Sequence, residues 1–247
     1  MTGLLTRGNP KILKGEKLGY LTWVFHGAPA DLSGYQVCAS STKECVAACL
    51  NTAGRGGIVR RGETTNAIQK ARVRKTQFYF ENRPAFLSQL VREIENAIHY
   101  AERKDLVPCF RLNATSDIRW ETGPVVRGGV VYPNIMSAFP AVQFYDYTKH
   151  ANRRNLPPNY SITFSRSGKN GPACFQTLLD GQNVAVVFRG PLPDTYFGVP
   201  VIDGDVSDLR FLDPAGVVVG LKAKGLAKKQ ATSPDGFVVD ALALALA

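Results

Sequence analysis

Tyr20-Leu-Thr-Trp-Val-Phe25, stopped by His26-Gly27-Ala28-Pro29, is the first of a series of apolar runs whose spacing decides the fold. Its β-branched and aromatic residues predict a buried strand, and the Gly and Pro that follow predict its end. Similar runs recur downstream: Val107-Pro-Cys-Phe-Arg-Leu112, Ala141-Val-Gln-Phe-Tyr145, Tyr160-Ser-Ile-Thr-Phe164, Asn183-Val-Ala-Val-Val-Phe188, Val199-Pro-Val-Ile202 and Val217-Val-Val-Gly-Leu221. Between the first two, Phe86, Leu87, Leu90, Val91, Ile94, Ala97, Ile98 and Ala101 recur at helical spacing, with Pro84 suited to a first turn, so 84–103 is the clearest helix. The stretch 134–139 reads as short helix or irregular chain, and 172–180 as a further helix.

Near-continuous apolar strands separated by helical segments indicate parallel pairing with both sheet faces covered. The fold class expected is therefore α/β: a partial or closed (β/α) TIM-like barrel of about six strand-helix units. One domain is expected over 1–247, with a cysteine-rich loop at 30–57. No Gly-x-Gly-x-x-Gly or Gly-x4-Gly-Lys-Ser/Thr fingerprint follows a strand, which counts against Rossmann and P-loop sites. The apolar tail 237–247 is too short to span a bilayer and is expected to pack as a strand or helical turn.

The chain has 247 residues, 45% hydrophobic, and a formal net charge of +10. No signal-like segment opens it, and nowhere do about 18 apolar residues run together, so no membrane partner and a cytoplasmic location are expected. Five cysteines, an odd number in a chain of this length, speak against a disulfide framework. The positive excess points to a polyanion, with nucleic acid the leading partner. Much of it is local: Arg55, Arg60, Arg61, Lys70, Arg72, Arg74 and Lys75, relieved only by Glu63, and a second group at Lys222, Lys224, Lys228 and Lys229.

Cys38, Cys45 and Cys49 fall within twelve residues, after the first strand. Thiolates are strong ligands for zinc and for iron–sulfur clusters, so these three are the candidate metal ligands. A closed zinc site needs a fourth ligand, for which His26, Cys109 or Cys174 are available. A cluster held by three thiolates leaves one iron open to a substrate or cofactor. His26, His99 and His150 have no metal-ligand spacing among themselves.

In a barrel, functional groups gather at the C-terminal ends of strands, and each exit here is polar. Asn113, Ser116 and Asp117 follow the second strand and could orient a polar ligand, with Arg111 to balance its charge. Asp146 and Lys149 follow the third and suit a base and an anion ligand, and Ser165 follows the fourth. The expectation is that the cysteines, Asp117, Asp146, Lys149 and Ser165 meet at one mouth. The competing readings are an Asx or Ser/Thr turn at 113–117 and a simple loop ion pair at 146–149.

The stretches Asn9-Pro-Lys through Tyr20–Pro29, Val37-Cys-Ala-Ser-Ser-Thr-Lys-Glu-Cys-Val-Ala-Ala-Cys49 with Leu50–Gly56, Arg111–Asp117, Phe144–Lys149, Thr163–Ser167 and Val217–Gly225 resemble the phage gene product 88 family over nearly the whole chain. That resemblance implies a phage or prophage origin. More distantly, Cys38, Cys45, Cys49, Ser116, Asp117, Thr148 and Lys149 stand where three-cysteine phage proteins similar to radical S-adenosylmethionine enzymes place a cluster, a Ser-Asp and a Thr-Lys. This second resemblance implies a [4Fe–4S] cluster on the three thiolates and S-adenosylmethionine on the open iron, with Asn113, Ser116, Asp117 and Ser165 as cofactor contacts. The spacing Cys-x6-Cys-x3-Cys departs from the usual Cys-x3-Cys-x2-Cys, and Ala48 stands where an aromatic residue is common. Two other functions remain open from the residues: a zinc-stapled base-modifying transglycosylase with Asp117 or Asp146 as nucleophile, and a non-enzymatic nucleic-acid-binding phage protein.

Overall fold

A computed structural model describes residues 3–7, 10–151, 153–230, 232–233 and 236–241. In chain order the elements are β1 (Leu5–Thr6), α1 (Pro10–Glu16), β2 (Tyr20–Phe25), α2 (Lys43–Ala47), α3 (Ala67–Glu81), α4 (Arg83–Glu102), β3 (Val107–Arg111), β4 (Val125–Arg127), β5 (Val130–Tyr132), β6 (Gln143–Thr148), β7 (Tyr160–Ser165), α5 (Gly171–Leu179), β8 (Val184–Arg189), β9 (Thr195–Tyr196), β10 (Val199–Asp203), β11 (Val218–Lys222) and β12 (Val238–Asp240).

One large sheet runs β1-β2-β3-β6-β7-β8-β11-β10-β9, and β12 also pairs with β8. The run from β2 through β10 is parallel throughout. Antiparallel β1 covers one edge and antiparallel β9 the other, so the sheet does not close into a barrel. The expected (β/α) rhythm is also incomplete. Helices bridge β2 to β3 (α3, α4) and β7 to β8 (α5), whereas β3 reaches β6 through the β4-β5 hairpin and β6 reaches β7 without a helix. The stretch 134–139 is a series of turns.

Alternate residues of each strand face opposite sides of a sheet. On β2, β3 and β6 one set, Leu21, Trp23, Phe25, Phe110 and Phe144, packs with the apolar stripe of α4, including Phe86, Leu90, Ile94 and Ala101. That stripe starts cleanly because Asn82 caps the helix, its side chain accepting from Ala85 N, and Pro84 fits the first turn. The other set, Tyr20, Cys109 and Tyr145, packs against Leu209 and Phe211 from the connection between β10 and β11. α5 covers β7, β8, β11 and β12 through Cys174, Leu178, Phe164, Val186, Phe188, Val218 and Val239.

β7 meets β8 only at Phe164↔Val184 and Ser165↔Ala185, after which β12 takes over the same edge at Val187, Phe188 and Arg189. The tail up to Ala241 is thus partly strand, while 242–247 lie outside the described residues. No helix among the described residues is long and apolar enough to cross a membrane.

Candidate functional site

After β2 the chain from His26 to Gly57 forms a loop over the C-terminal strand ends, carrying all three clustered cysteines, each half-buried. Thr42 starts α2 by accepting a hydrogen bond from Cys45 N, and Thr42 Oγ1 donates to Ser167 O after β7. Two 3-10 turns, Leu50–Thr52 and Gly54–Gly57, complete the loop. Only glycine suits its last turn: a Cβ on Gly57 would lie 2.1 Å from Thr52 O, and one on Gly56 would lie 2.6 Å from Asn51 O.

α3 clasps this loop with polar side chains. Asn66 Nδ2 donates to the carbonyls of Arg55, Gly56 and Ile58, Gln69 Nε2 donates to Gly56 O, and Arg72 Nη1 donates to Asn51 O and Oδ1. Further along, Thr76 Oγ1 accepts from Ala28 N at 2.8 Å. The residues α3 buries are Gln69, Thr76 and Tyr79, which is why no hydrophobic period announces it.

A cavity of about 740 Å³ opens between this loop and the strand ends. Cys38, Cys45 and Cys49 line it, together with Asn113, Ser116, Asp117, Lys149 and Ser165. Asp146 does not join them. Among the residues that sequence reasoning gave no role in a shared site, Arg72, Tyr147, Asp205 and Asp208 also reach it. Of these, only Arg72 left a trace in the sequence, as one member of the basic run.

The groups differ in how much bonding capacity they leave for a ligand. Asn113 Oδ1 accepts from Ser116 Oγ, Ile118 N and Trp120 Nε1, and its Nδ2 donates to Ile118 O, so Asn113 and Ser116 organise the 113–118 turn. Asp117 accepts from Thr148 Oγ1 (2.8 Å) and Lys149 N (2.7 Å), while its own N–H donates to Val37 O beside Cys38. It ties three strand exits together. Lys149 Nζ donates to Ser165 Oγ at 3.2 Å and lies 5.7 Å from the centre of the Phe237 ring, with no carboxylate partner among the described residues.

Burial pushes the Cys38 thiol up to about 11 and raises Cys49 as well, against the downward pull of Lys149 and Arg72 on Cys49. His26 is driven down to about 3 by burial and then by the charges of Arg72, Arg111 and Lys75, so the imidazole is neutral. Its Nδ1 stands 3.2 Å from Thr6 Oγ1. The remaining cysteines are elsewhere. Cys109 lies under the cavity floor with Thr22 Oγ1 3.0 Å from its sulfur, and Cys174 sits on α5. Neither lines the cavity; of the three residues available as a fourth ligand, only His26 does.

Asp146 faces the α4 side of the sheet, where Asn113 N (2.6 Å) and Tyr160 Oη (2.9 Å) donate to its two oxygens. Burial raises its pKa from 3.8 to about 7, against the opposing pull of Arg111 and these hydrogen bonds. The folded protein therefore holds this proton through a window in which the unfolded chain has released it, and stability falls as the pH rises from about 4 through about 7. Asp146→Asn keeps the shape and removes the titration. Urea unfolding at about pH 5 and about pH 8 is expected to show a smaller loss of stability on raising the pH in the variant than in the wild type. An unchanged loss would mean that Asp146 is already ionised in the fold.

An open, mostly parallel α/β sheet with a polar, thiol-lined recess defines an α/β protein whose recess lies at the C-terminal strand ends, where open sheets of this kind commonly hold their ligands. The recess is lined by cysteines and cations in place of a glycine-rich phosphate loop. The chain belongs to the gene product 88 family, whose model matches residues 3–241. That agrees with a phage protein. No curated protein and no solved structure matches the chain, so neither comparison supplies a radical S-adenosylmethionine relative.

Proposed function

We propose that the protein is an iron–sulfur enzyme acting on nucleic acid, in which Cys38, Cys45 and Cys49 hold a [4Fe–4S] cluster and S-adenosylmethionine is the co-substrate. The observation that carries this reading is the convergence of the three half-buried thiols on one ligand-sized cavity at the C-terminal strand ends. The donor type suits such a group, and all three thiols line the same cavity. Yet no three His, Cys, Asp or Glu side chains among the described residues are grouped to hold one metal ion. A [4Fe–4S] cluster takes one thiolate at each of three irons and leaves the fourth iron open to the co-substrate.

When bound and reduced by an external one-electron donor, such a cluster supplies the electron that cleaves S-adenosylmethionine reductively. The chain's own residues do the remaining work. Lys149 and Arg72 favour the thiolate form of Cys49, and Lys149, positioned by Ser165 Oγ, offers a cation to a carboxylate or phosphate. Asp117 and Asn113 hold the strand exits at a set separation. The zinc-stapled transglycosylase ranks lower because, of its two candidate nucleophiles, Asp146 lies outside the cavity and Asp117 is engaged through both oxygens in holding the strand exits together.

The test is iron, zinc and acid-labile sulfide analysis of anaerobically prepared protein. Iron and sulfide in equal amounts are expected. Stoichiometric zinc without sulfide, or no metal after reconstitution with iron and sulfide, would overturn the reading.

A further inference from the structure

The cations around the cavity are unevenly matched. On one rim, Lys222 and Lys224 pair with Asp203 and Asp205 at 3.4 and 2.6 Å. In the 55–74 segment, Arg55 lines the cavity while Arg60, Arg61, Lys70 and Arg74 lie outside its lining; all five are exposed, and none has a salt bridge among the described residues. Glu63 is the sole carboxylate between 55 and 75. This unmatched segment reaches the cavity at two points. Arg55 is exposed and also lines the cavity. Arg72 lines it deeper, one of its nitrogens held by Asn51 and its Nε buried with no hydrogen-bond partner among the described residues.

A half-buried guanidinium with no carboxylate beside it has hydrogen-bonding capacity that a ligand anion can complete. A lone small anion would account for Arg72 but leaves the exposed cations unexplained. A cluster of unmatched exposed cations in the segment that carries Arg55 and Arg72 to the cavity suits a chain of phosphates. Because the innermost contact lies within a cavity of about 740 Å³, room enough for a nucleotide, the bound strand must be able to turn one nucleotide out of stacking, which a single strand does at little cost and a duplex does not.

We propose that the 55–74 segment is a track for single-stranded nucleic acid, and that Arg55 and Arg72 guide one nucleotide of that strand into the cavity with Arg72 on its phosphate. The inference rests on the proposed function only for the class of ligand. It requires no cluster, so it is tested on metal-free protein, separately from the iron analysis.

Fluorescence anisotropy would compare a labelled single strand of about twelve nucleotides with the matching duplex, across a salt series. The wild type is expected to prefer the single strand by at least about tenfold and to show steep salt dependence. Combining Arg60→Ala, Arg61→Ala and Arg74→Ala, all at exposed positions, should weaken binding by about tenfold or more and reduce the salt slope by about 2. Arg72→Gln should remove most of the preference for the single strand over the duplex, with Arg72→Lys restoring part of it.

Circular dichroism establishes that each variant is folded, and the triple variant keeps the test valid should Arg72→Gln disturb the Asn51 contact. Binding that is salt-insensitive, equal for strand and duplex, or unchanged in the triple variant would overturn the proposal. So would a mononucleotide or inorganic phosphate that competes as tightly as the strand. Protein that carries iron and binds no strand defeats this inference alone; protein that binds the strand but never takes up iron defeats only the cluster.

Discussion

Serine in place of Cys38, Cys45 or Cys49 is expected to strip bound iron from anaerobically reconstituted protein and to abolish S-adenosylmethionine cleavage. Even outer-sphere partners of a metal centre are worth about 10–100-fold in affinity, so removing a direct thiolate should exceed about 100-fold. Ser resembles Cys in size and these three sites are half-buried, so the fold should survive. Cys174→Ala supplies the contrast. That thiol is buried on α5 among Phe164, Leu178 and Val186, and burial pushes it up to about 11, so it is a core side chain away from the cavity. Its loss should cost stability through packing and leave the iron content unchanged. The idea fails should Cys45→Ser retain iron, or should Cys174→Ala lose as much iron as the cluster variants do. Iron and sulfide assays with the visible thiolate-to-iron absorption read both arms directly.

Arg111→Met is expected to cost about 3–5 kcal/mol of stability, as breaking one side of a buried ion pair does. Arg111 Nη1 lies 3.0 Å from Asp208 Oδ2, with the two side chains only 15% and 2% exposed. Tyr145 Oη donates to the same carboxylate oxygen at 3.3 Å, and the guanidinium lies 4.8 Å from the Tyr147 ring centre. Burial by itself would lower the Arg111 pKa, but Asp208, followed by the two tyrosines and Asp146, raises it above the ordinary value. The methionine removes the Arg111 guanidinium from the buried Asp208 carboxylate. This pair anchors the connection between β10 and β11 beneath the cavity, so the floor should loosen too.

Urea unfolding measures the loss, and pairing Arg111→Met with Asp208→Leu should recover most of it, since two apolar side chains leave no stranded charge. A loss below about 1 kcal/mol in the single variant would mean that water reaches the carboxylate.

Much of the sheet was legible. Each expected strand from Tyr20 to Leu221 corresponds to an observed parallel strand within a few residues, and the helix expected at 84–103 is α4. These runs are buried on both faces or carry a clean helical stripe, so local composition reports burial faithfully. Closure into a barrel was over-read. Apolar strands say that they pair in parallel, but edges are capped by short strands, β1 and β9, of two residues each, which carry no periodicity. α3 was missed for the opposite reason: its inward face is amide, guanidinium and hydroxyl, so the pattern resembles a charged surface segment.

The candidate site divides in the same way. Strand exits place Cys38, Cys45, Cys49, Asn113, Ser116, Asp117, Lys149 and Ser165 around one cavity, as position after a parallel strand predicts. Asp146 fell outside because it still belongs to β6, where alternation sends it to the face opposite Tyr145 and Tyr147. A one-residue difference in where the strand ends decides which face a side chain joins, and composition does not resolve strand ends to one residue.

By itself, then, the sequence determined an α/β chain with parallel strands, a clustered set of thiols after the first of them, and a strong local positive charge. Those properties follow from residue type and near-neighbour order alone. Only the tertiary structure decided that the sheet stays open, that Arg72 and the Arg111–Asp208 pair belong to the cavity, and that Asp117 is bonded on both oxygens. Each of those depends on contacts between residues far apart in the chain, whose pairing no local pattern records.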